Sequence, residues 1–382
     1  MHEKEGKKVN FNWARVRLFD RMLVTIIFER CLTVRTARVD EVKTQPKSKW
    51  RPLPLITVEL QKMGSRFLRM DSQRVMKIAE DLYTKGFISY PRTETDQFDR
   101  GMNLRGLIEK QTQDNNWGQF AQNLMNGGFQ WPRLGRNNDK AHPPIHPIIY
   151  VTRNALGPDE YRVYEFIVRR FLACCSEDAK GSQSTVSITY GSEKFTATGL
   201  VVLQRNYLDV YPYDKWESSQ TLPNFTVGET FVPTEANMNE GKTTPPGYLT
   251  EPELIALMDA NGIGTDATMA EHIAKIKERE YVLARLKTGG TAATGDDEEG
   301  EAPPAPAIRG GRGGRGRGGG GRGGINAARG GGGSGVMEFI PTTLGVALVE
   351  GYDNLAFDTS LAKPFLRKEV SFSSHLVHRK GY

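Results

Sequence analysis

The sequence predicts a multidomain protein of mixed α and β structure, in which mainly helical units are joined by a β-rich segment. Its 382 residues are enough for two or three domains. Apolar residues recur with helical spacing in residues 71–85 and 159–174, whereas residues 184–203 predict paired strands. Helical and strand-like stretches therefore follow one another along the chain.

The first part of the chain predicts a helix, a strand and a basic connector. The apolar stripe of the helix is Leu18, Met22, Ile26 and Cys31 or Leu32. Residues 33–44 alternate and predict the strand, and the basic run 46–54 follows with Lys49, Trp50 and Arg51. Such a run can bind a nucleic-acid backbone, or it can be a linker whose tryptophan fills a core. The residues alone leave both interpretations open.

A helix with a fixed end precedes Tyr90. Asp71 or Ser72 caps this helix, and Gly86 stands where a left-handed residue closes it. Its apolar face is Val75, Ile78, Ala79 and Leu82. Tyr90 follows Gly86 by four residues, so the helix gives it a rigid support.

Tyr90, Pro91 and Arg92 form a pattern that suits phosphoryl transfer. Pro91 pushes Tyr90 into an extended conformation, and residues i and i+2 of an extended segment share a face. A free tyrosine is a weak nucleophile because its pKa is about 10. A guanidinium nearby favours the phenolate and fits a phosphate, so the pair could take a phosphate onto the tyrosine. Alone, the spacing favours the plainer interpretation, which is a half-buried strand tyrosine and a solvated arginine.

Residues 141–147, Ala-His-Pro-Pro-Ile-His-Pro, hold His142 and His146 in a loop that prolines stiffen. Two such histidines can bind a metal or a phosphate. They can also be incidental to a rigid turn, which is the interpretation that the residues alone favour.

The second half predicts a helix, a β-rich stretch and a pair of helices. Residues 159–174 form the helix, and strands 184–190 and 194–203 meet at the turn Gly191-Ser192-Glu193. Thr250 and Glu253 make a capping box before a helix over residues 254–260. The Gly-rich turn 261–268 leads to another helix that ends near residue 279; its amides can meet a phosphate, or the turn can be architecture alone.

Residues 283–335 interrupt this pattern. An acidic run at 296–301 is followed by Arg-Gly-Gly repeats at 309–329. Because this composition cannot form a core, we predict a disordered insertion. Arg/Gly repeats of this kind bind RNA or single-stranded DNA loosely.

Composition narrows the class of protein. A net charge of +6 and a pI near 9.0 suit a polyanionic partner. Three cysteines without a Cys-x-x-Cys pair predict neither a disulfide framework nor a zinc site, as in an intracellular protein. The sequence shows no secretory signal, no apolar run long enough for a membrane span, and no ATP-binding motif.

Four segments together resemble the type IA DNA topoisomerases, most closely the eukaryotic topoisomerase III enzymes. They are Lys-Ser-Lys-Trp-Arg-Pro at 47–52, Ser-Tyr-Pro-Arg-Thr-Glu-Thr at 89–95, Ala-His-Pro-Pro-Ile-His-Pro at 141–147 and Gly-Ile-Gly-Thr-Asp-Ala-Thr at 262–268. Residues 166–176 resemble the alpha-type branch. The resemblance covers about residues 10–369 outside the insertion.

The resemblance implies roles for single residues. Tyr90 would attack a DNA phosphodiester to give a 5′-phosphotyrosyl link and a free 3′ hydroxyl, and Arg92 would handle the phosphate. His142 would handle DNA close to the tyrosine, while Thr265 and Thr268 would contact the single strand. The family shares the basic run, so two of its cationic side chains are further candidates for DNA contact. These are Lys49 and Arg51.

The resemblance also implies a domain plan. Residues 1–38 would be part of a helical DNA-binding domain, and residues 39–58 with 183–238 a β-rich arch. The catalytic-tyrosine domain, 59–182, would be inserted in the arch. Residues 239–282 with 337–382 would form a helical DNA-binding domain. The disordered insertion, 283–336, would be flanked by residues 281–282 and 339–345, which lie side by side in the family.

Further expectations concern the whole protein. Family members hold Mg²⁺ on carboxylates of a Toprim domain, and this chain, which opens partway into the family's pattern, lacks those ligands. We therefore predict that the parent protein relaxes negative supercoils and resolves recombination intermediates in the nucleus, whereas this chain alone is inactive or nearly so. The resemblance implies single-stranded DNA, a RecQ-type helicase and an OB-fold cofactor as partners, and the Arg/Gly loop suggests RNA. The alternative function is a non-catalytic fragment that binds single-stranded nucleic acid.

Overall fold

The computed structural model describes residues 1–287, 336–355, 363–365 and 368. Its helices are α1 (Arg21–Val34), α2 (Thr57–Met63), α3 (Ser72–Thr84), α4 (Leu104–Lys110), α5 (Gly118–Asn123), α6 (Pro158–Cys174), α7 (Glu251–Ala260), α8 (Met269–Glu278) and α9 (Thr343–Asn354). Its strands are β1 (His2–Lys4), β2 (Lys7–Val9), β3 (Asn12–Trp13), β4 (Ala37–Lys49), β5 (Ala179–Tyr190), β6 (Glu193–Gln204), β7 (Thr230–Phe231), β8 (Val282–Leu286) and β9 (Met337–Pro341). None of the described helices has the length and apolar character needed to cross a membrane.

A five-stranded antiparallel sheet, in the order β3-β6-β5-β4-β7, joins distant parts of the chain. The pairing of β4 with β5 runs from Ala37 opposite Tyr190 to Lys49 opposite Ala179. Residues 50–178 therefore leave the sheet and return to it at one point, as an inserted unit.

Some predicted limits in this sheet were wrong. β4 begins at Ala37 because α1 extends to Val34, and it continues through Pro46, where the sequence predicts a connector. A proline is tolerated there because β4 meets β7 only near its start, so beyond Arg38 it has a partner strand on one side alone. Glu193, predicted in the hairpin turn, is the first residue of β6.

The sheet also extends past the predicted arch. β3 comes from the first 38 residues, and β5 begins at residue 179. The predicted stripe of α1 is mostly unburied as well, since Met22 is 74% exposed whereas Cys31 is 3% exposed. The described part of the chain brings no element over the rest of that face.

The inserted unit has a helical core in which α3 packs against α6. Both helices bury the apolar faces that their periodicity predicted. On α3 these residues are Val75, Ile78, Ala79 and Leu82, and on α6 they are Tyr164, Ile167, Val168 and Phe171. This core is the base from which α3 positions the segment that carries Tyr90.

A second cluster packs α2 of the inserted unit against the later helices. Its buried members are Val58, Ile255, Met258, Met269, Ile273 and Phe339. At the same contact the carboxylate of Glu251, 2% exposed, accepts hydrogen bonds from the Ser72 amide at 2.8 Å and the Ser72 hydroxyl at 2.5 Å. Residues from α7 therefore meet the first turn of α3.

The hairpin of β8 and β9 closes the chain around the predicted insertion. Val282 lies opposite Pro341 and Ala284 opposite Phe339, which confirms that these flanks are neighbours. The predicted start of the insertion at residue 283 is wrong, because residues 283–286 complete β8. The acidic run, the Arg/Gly repeats and residues 370–382 lie outside the described residues.

Candidate active site

Tyr90 lies in a segment that α3 sets in place. Asp71 caps α3 through a side-chain hydrogen bond of 2.9 Å. Gly86 follows the helix with φ of +75°, and its amide donates to the Tyr83 carbonyl at 2.8 Å. The left-handed residue predicted at this position is confirmed, and it starts the extended run that leads to Tyr90.

The residue before Tyr90 is fixed by His146. The Ser89 amide donates to the His146 carbonyl at 2.9 Å, and the His146 amide donates to the Ser89 hydroxyl at 3.0 Å. The imidazole is 3% exposed, packs against Phe98, and donates a hydrogen bond of 2.7 Å from Nδ1 to the Pro144 carbonyl. Burial lowers the pKa of His146, although the bond to Pro144 acts in the opposite direction. His146 is therefore a neutral, buried side chain that stabilises this loop.

The residues after Tyr90 are pinned to α2. The Thr57 hydroxyl donates to the Pro91 carbonyl at 2.7 Å and accepts from the Thr93 amide at 2.7 Å. The Thr57 amide completes the set by donating to the Thr93 carbonyl at 3.1 Å. Backbone groups on both sides of Tyr90 are thus tied to the core, which suits a nucleophile that must hold its position.

The half-buried ring of Tyr90 lies between two aromatic side chains. Tyr83 meets it edge-on with ring centroids 5.2 Å apart, and the His142 imidazole lies 4.7 Å away at an angle of 41°. The structure therefore brings His142 to Tyr90, where the resemblance placed it.

One carboxylate organises the loop that carries His142. Asp139 Oδ1 accepts hydrogen bonds from the amides of Ala141 and His142 at 2.9 Å each, and Oδ2 accepts from the Thr93 hydroxyl at 3.2 Å. Oδ2 also lies 3.8 Å from His142 Nδ1. Burial alone would raise the pKa of Asp139, but these hydrogen bonds outweigh it and lower the pKa to about 2. Asp139 is therefore an anion at neutral pH that ties the His142 loop to the tyrosine segment.

Arg92 connects the tyrosine segment to the turn that precedes α8. Its Nε donates to Glu80 Oε1 at 2.8 Å, and its Nη1 donates to the Ala267 carbonyl at 2.7 Å. Within the described residues, Arg92 thus contacts Glu80 and Ala267 and does not contact the Tyr90 hydroxyl. The guanidinium, 27% exposed, lines a groove of about 550 Å³ between α3 and α8, where a phosphate could reach it.

The Gly-rich turn lies next to this arginine. Gly262 and Gly264 have φ of +62° and +80°, which lets the chain turn sharply between α7 and α8. Within the turn, the Thr265 amide donates to the Thr268 hydroxyl at 2.9 Å. Arg92 bonds to the residue before Thr268, so the structure joins these two predicted site elements.

Lys49 and Arg51 lie in a separate place. Lys49 pairs with Asp214 at 2.5 Å, and Arg51 pairs with Asp178 at 3.1 Å. None of their described contacts involves Tyr90, Arg92 or His142, so their predicted role in DNA binding stays a prediction.

The sequence reasoning missed three supports of this site. Thr57 and His146 act through hydrogen bonds to backbone groups that are distant in sequence, and Asp139 accepts a hydrogen bond from the distant Thr93 side chain. Only Asp139 carries a local signal, because an aspartate that accepts amides two and three residues later is a common turn pattern. Among the described residues no group of three or more His, Cys, Asp or Glu side chains is arranged to hold a metal ion.

Comparison with known proteins identifies relatives of this chain. A family model described as DNA topoisomerase matches residues 1–293. DNA topoisomerase 3 of Schizosaccharomyces pombe is 47% identical over 369 residues, which cover 96% of this chain and 52% of that protein. Human DNA topoisomerase 3-alpha is 45% identical over 376 residues, covering 98% of this chain and 32% of the human protein.

A solved structure is similar in fold. Full-length topoisomerase I from Thermotoga maritima matches 73% of this chain and 46% of its own chain, with a TM-score of 0.58 and 24% identity. The chain thus spans about half the length of the fission yeast relative and about a third of the human one.

Proposed function

The chain belongs to the type IA DNA topoisomerases, in the topoisomerase III group, and from this premise we propose that Tyr90 cleaves and reseals single-stranded DNA. The observation that supports this proposal best is the setting of Tyr90. Its backbone is anchored on both sides, and its half-buried ring faces a histidine whose loop is held by a carboxylate.

The proposed step exchanges one phosphoester bond for another. The Tyr90 oxygen attacks the phosphorus of a DNA phosphodiester, a bond from that oxygen to phosphorus forms, and the bond from phosphorus to the 3′ oxygen breaks. The phenol loses a proton and the departing 3′ oxygen gains one, so the products are a 5′-phosphotyrosyl link and a 3′ hydroxyl. Because the number of phosphoester bonds does not change, the reverse reaction reseals the strand without ATP.

The surrounding residues have complementary roles in this step. Arg92 offers a guanidinium to a phosphate in the groove between α3 and α8. His142 lies against the tyrosine ring, where it can hold the strand, and Thr265 and Thr268 lie in the turn before α8, beside the Arg92 contact. The strand would therefore cross from the tyrosine segment to the Gly-rich turn.

Passage of a second strand through the break would relax negative supercoils and resolve recombination intermediates in the whole protein. Mg²⁺ is the ion that the resemblance implies, but the described residues do not form a site for it, and no step above depends on it. A RecQ-type helicase, an OB-fold cofactor, RNA binding and a nuclear location stay predictions.

The test is cleavage of end-labelled single-stranded oligonucleotides by the 382-residue chain and by Tyr90→Phe. We expect a denaturation-resistant adduct that carries the 3′ label, because the fragment downstream of the break stays attached through its 5′ phosphate. Tyr90→Phe should form no adduct. Tyr83→Phe is the matched control, since Tyr83 contacts Tyr90 but would not be the nucleophile.

Cleavage and relaxation are tested separately, because the prediction that this chain alone is inactive concerns relaxation of supercoiled DNA. Adduct formation that persists in Tyr90→Phe would contradict the proposal. Intact binding of the strand without an adduct, in the presence of Mg²⁺, would favour the non-catalytic alternative. Relaxation of supercoiled DNA by this chain would contradict the prediction that it is inactive alone.

A further inference from the structure

The indole of Trp50 lies on a surface that the proposed chemistry does not use. It is 65% exposed, so it does not fill a core, and one of the two interpretations of the basic run is removed. The guanidinium of Arg133 lies over the ring at 4.9 Å, and the same side chain donates to the Arg51 carbonyl at 2.8 Å. Arg133 therefore holds the indole while leaving most of its surface open to solvent.

Two more arginine–aromatic pairs lie next to Trp50 and Arg133. Arg51 Nη2 donates to the Trp131 carbonyl at 3.1 Å, and Arg100 lies over the Trp131 ring at 4.9 Å. Arg105 lies 4.7 Å from the ring of Phe129, which meets the Trp131 ring at 6.2 Å. The arginine–aromatic surface consists of Trp50, Arg100, Arg105, Phe129, Trp131 and Arg133.

The charges of this surface are available to a partner. Within the described part of the chain, Arg100, Arg105 and Arg133 form no ion pair, whereas Arg51 is paired with Asp178. Uncompensated guanidinium groups beside an exposed aromatic face are the combination that binds single strands, because phosphates meet the charges and bases stack on the ring.

We propose that the arginine–aromatic surface binds single-stranded DNA, with an unpaired base stacked on Trp50 and phosphates at Arg100, Arg105 and Arg133. A duplex is excluded because its base faces are already stacked on one another. The inference rests on the proposed function only in taking DNA as the strand.

The surface and the site are close enough for one strand. Residues 131–142 connect Trp131 to His142, and about eleven residues span at most about 40 Å. A strand of about 12 nucleotides covers that distance at roughly 3.4 Å per nucleotide. An oligonucleotide of about 20 nucleotides is therefore long enough to reach both.

The experiment measures binding without cleavage, in a Tyr90→Phe background. A single-stranded oligonucleotide of that length that contains 2-aminopurine reports stacking through fluorescence quenching, and its anisotropy reports affinity. Trp50→Ala should weaken binding about 5- to 100-fold and remove most of the quenching, as the loss of one stacked base would. Trp50→Phe should retain part of both effects. Arg133→Ala should weaken binding and reduce the dependence of log affinity on log salt by about one.

Val227→Ala is the matched control, because Val227 is 66% exposed, like Trp50, and precedes β7, which pairs with the opposite end of β4. It should bind like the parent. Unchanged affinity and quenching in both Trp50→Ala and Arg133→Ala would overturn the inference, as would equal loss in Val227→Ala. Binding of duplex as tight as that of the single strand, or dependence on Trp50 for RNA alone, would also overturn it.

The two proposals fail separately. If the Tyr90 adduct forms but Trp50 does not affect binding, the function stands and the surface does not bind DNA. If Trp50 governs binding but no adduct forms, the surface stands without the chemistry.

Discussion

Replacing Asp139 with asparagine tests how the His142 loop is held beside Tyr90. In Asp139→Asn the side-chain oxygen that takes the place of Oδ1 can still accept hydrogen bonds from Ala141 and His142. The new amino group would replace Oδ2, which accepts from Thr93 at 3.2 Å and lies 3.8 Å from His142 Nδ1. The substitution thus retains the turn but removes the negative charge and puts a donor where an acceptor stood.

The pKa of Asp139 gives the size of the effect. Its fall from 3.8 to about 2 corresponds to roughly 2.4 kcal/mol of interaction at about 1.4 kcal/mol per unit. Because the side chain is 21% exposed, solvent screens part of this interaction, and we expect Asp139→Asn to lower the free energy of unfolding by about 1–2 kcal/mol at about pH 7.

The pH dependence has a defined sign. A carboxyl whose pKa is lower in the folded state stabilises the protein above its unfolded pKa, and this contribution is lost as pH falls through the folded pKa. The difference between wild type and Asp139→Asn should therefore be constant above about pH 5 and shrink between about pH 4 and 2. A looser His142 loop should also slow formation of the Tyr90 adduct, by about tenfold if about 1.4 kcal/mol reaches the transition state.

Urea unfolding at pH 7 and pH 3, followed by circular dichroism, measures the stability difference, and adduct formation is timed at pH 7. Asp209→Asn is the control, since Asp209 and its partner Arg205 are both 55% exposed and their pair should contribute little. Equal stability of Asp139→Asn and wild type at pH 7, together with an equal rate of adduct formation, would refute the reasoning.

Two other variants test the support of Tyr90 and its link to α8. Gly86→Ala should lower the free energy of unfolding by about 1–2 kcal/mol. The positive φ of Gly86 is the cause, since no atom lies within 4 Å of the added methyl group. Gly241 has the same open space but no positive φ, so Gly241→Ala should not change stability in the same urea titration. Arg92→Lys should slow adduct formation at least about tenfold, as an ammonium cannot match the fork that joins Glu80 and Ala267, and a fully active lysine variant would show that charge alone suffices.

The elements that sequence alone predicted are those with local causes. Asp71 and Gly86 mark the two ends of α3 through a cap and a left-handed residue; the sequence predicts Gly86 itself and, for the cap, Asp71 or Ser72. The capping box at Thr250 and Glu253 is present for the same reason, with the Thr250 amide bonded to Glu253 at 2.7 Å. Strand limits were less accurate, because Pro46 is tolerated by an edge that only the assembled sheet creates.

The site was predicted in its residues more than in its contacts. His142 and Tyr90 lie together as the resemblance implied. The partners of Arg92 could not be deduced from the spacing of Tyr90 and Arg92, because the Ala267 carbonyl is 175 residues away in sequence. Trp50 shows the same limit, since its exposure depends on how Arg133 and the inserted unit pack against the end of β4.

The central claim is that Tyr90 itself becomes linked to DNA. The adduct formed on a single-stranded oligonucleotide should be trimmed with nuclease, digested with trypsin and analysed by mass spectrometry. We predict that the residual nucleotide is attached, through a 5′ phosphate, to the peptide that spans residues 86–92 and contains Tyr90 as its single tyrosine. A nucleotide on any other peptide, or attachment through a 3′ phosphate, would contradict the account.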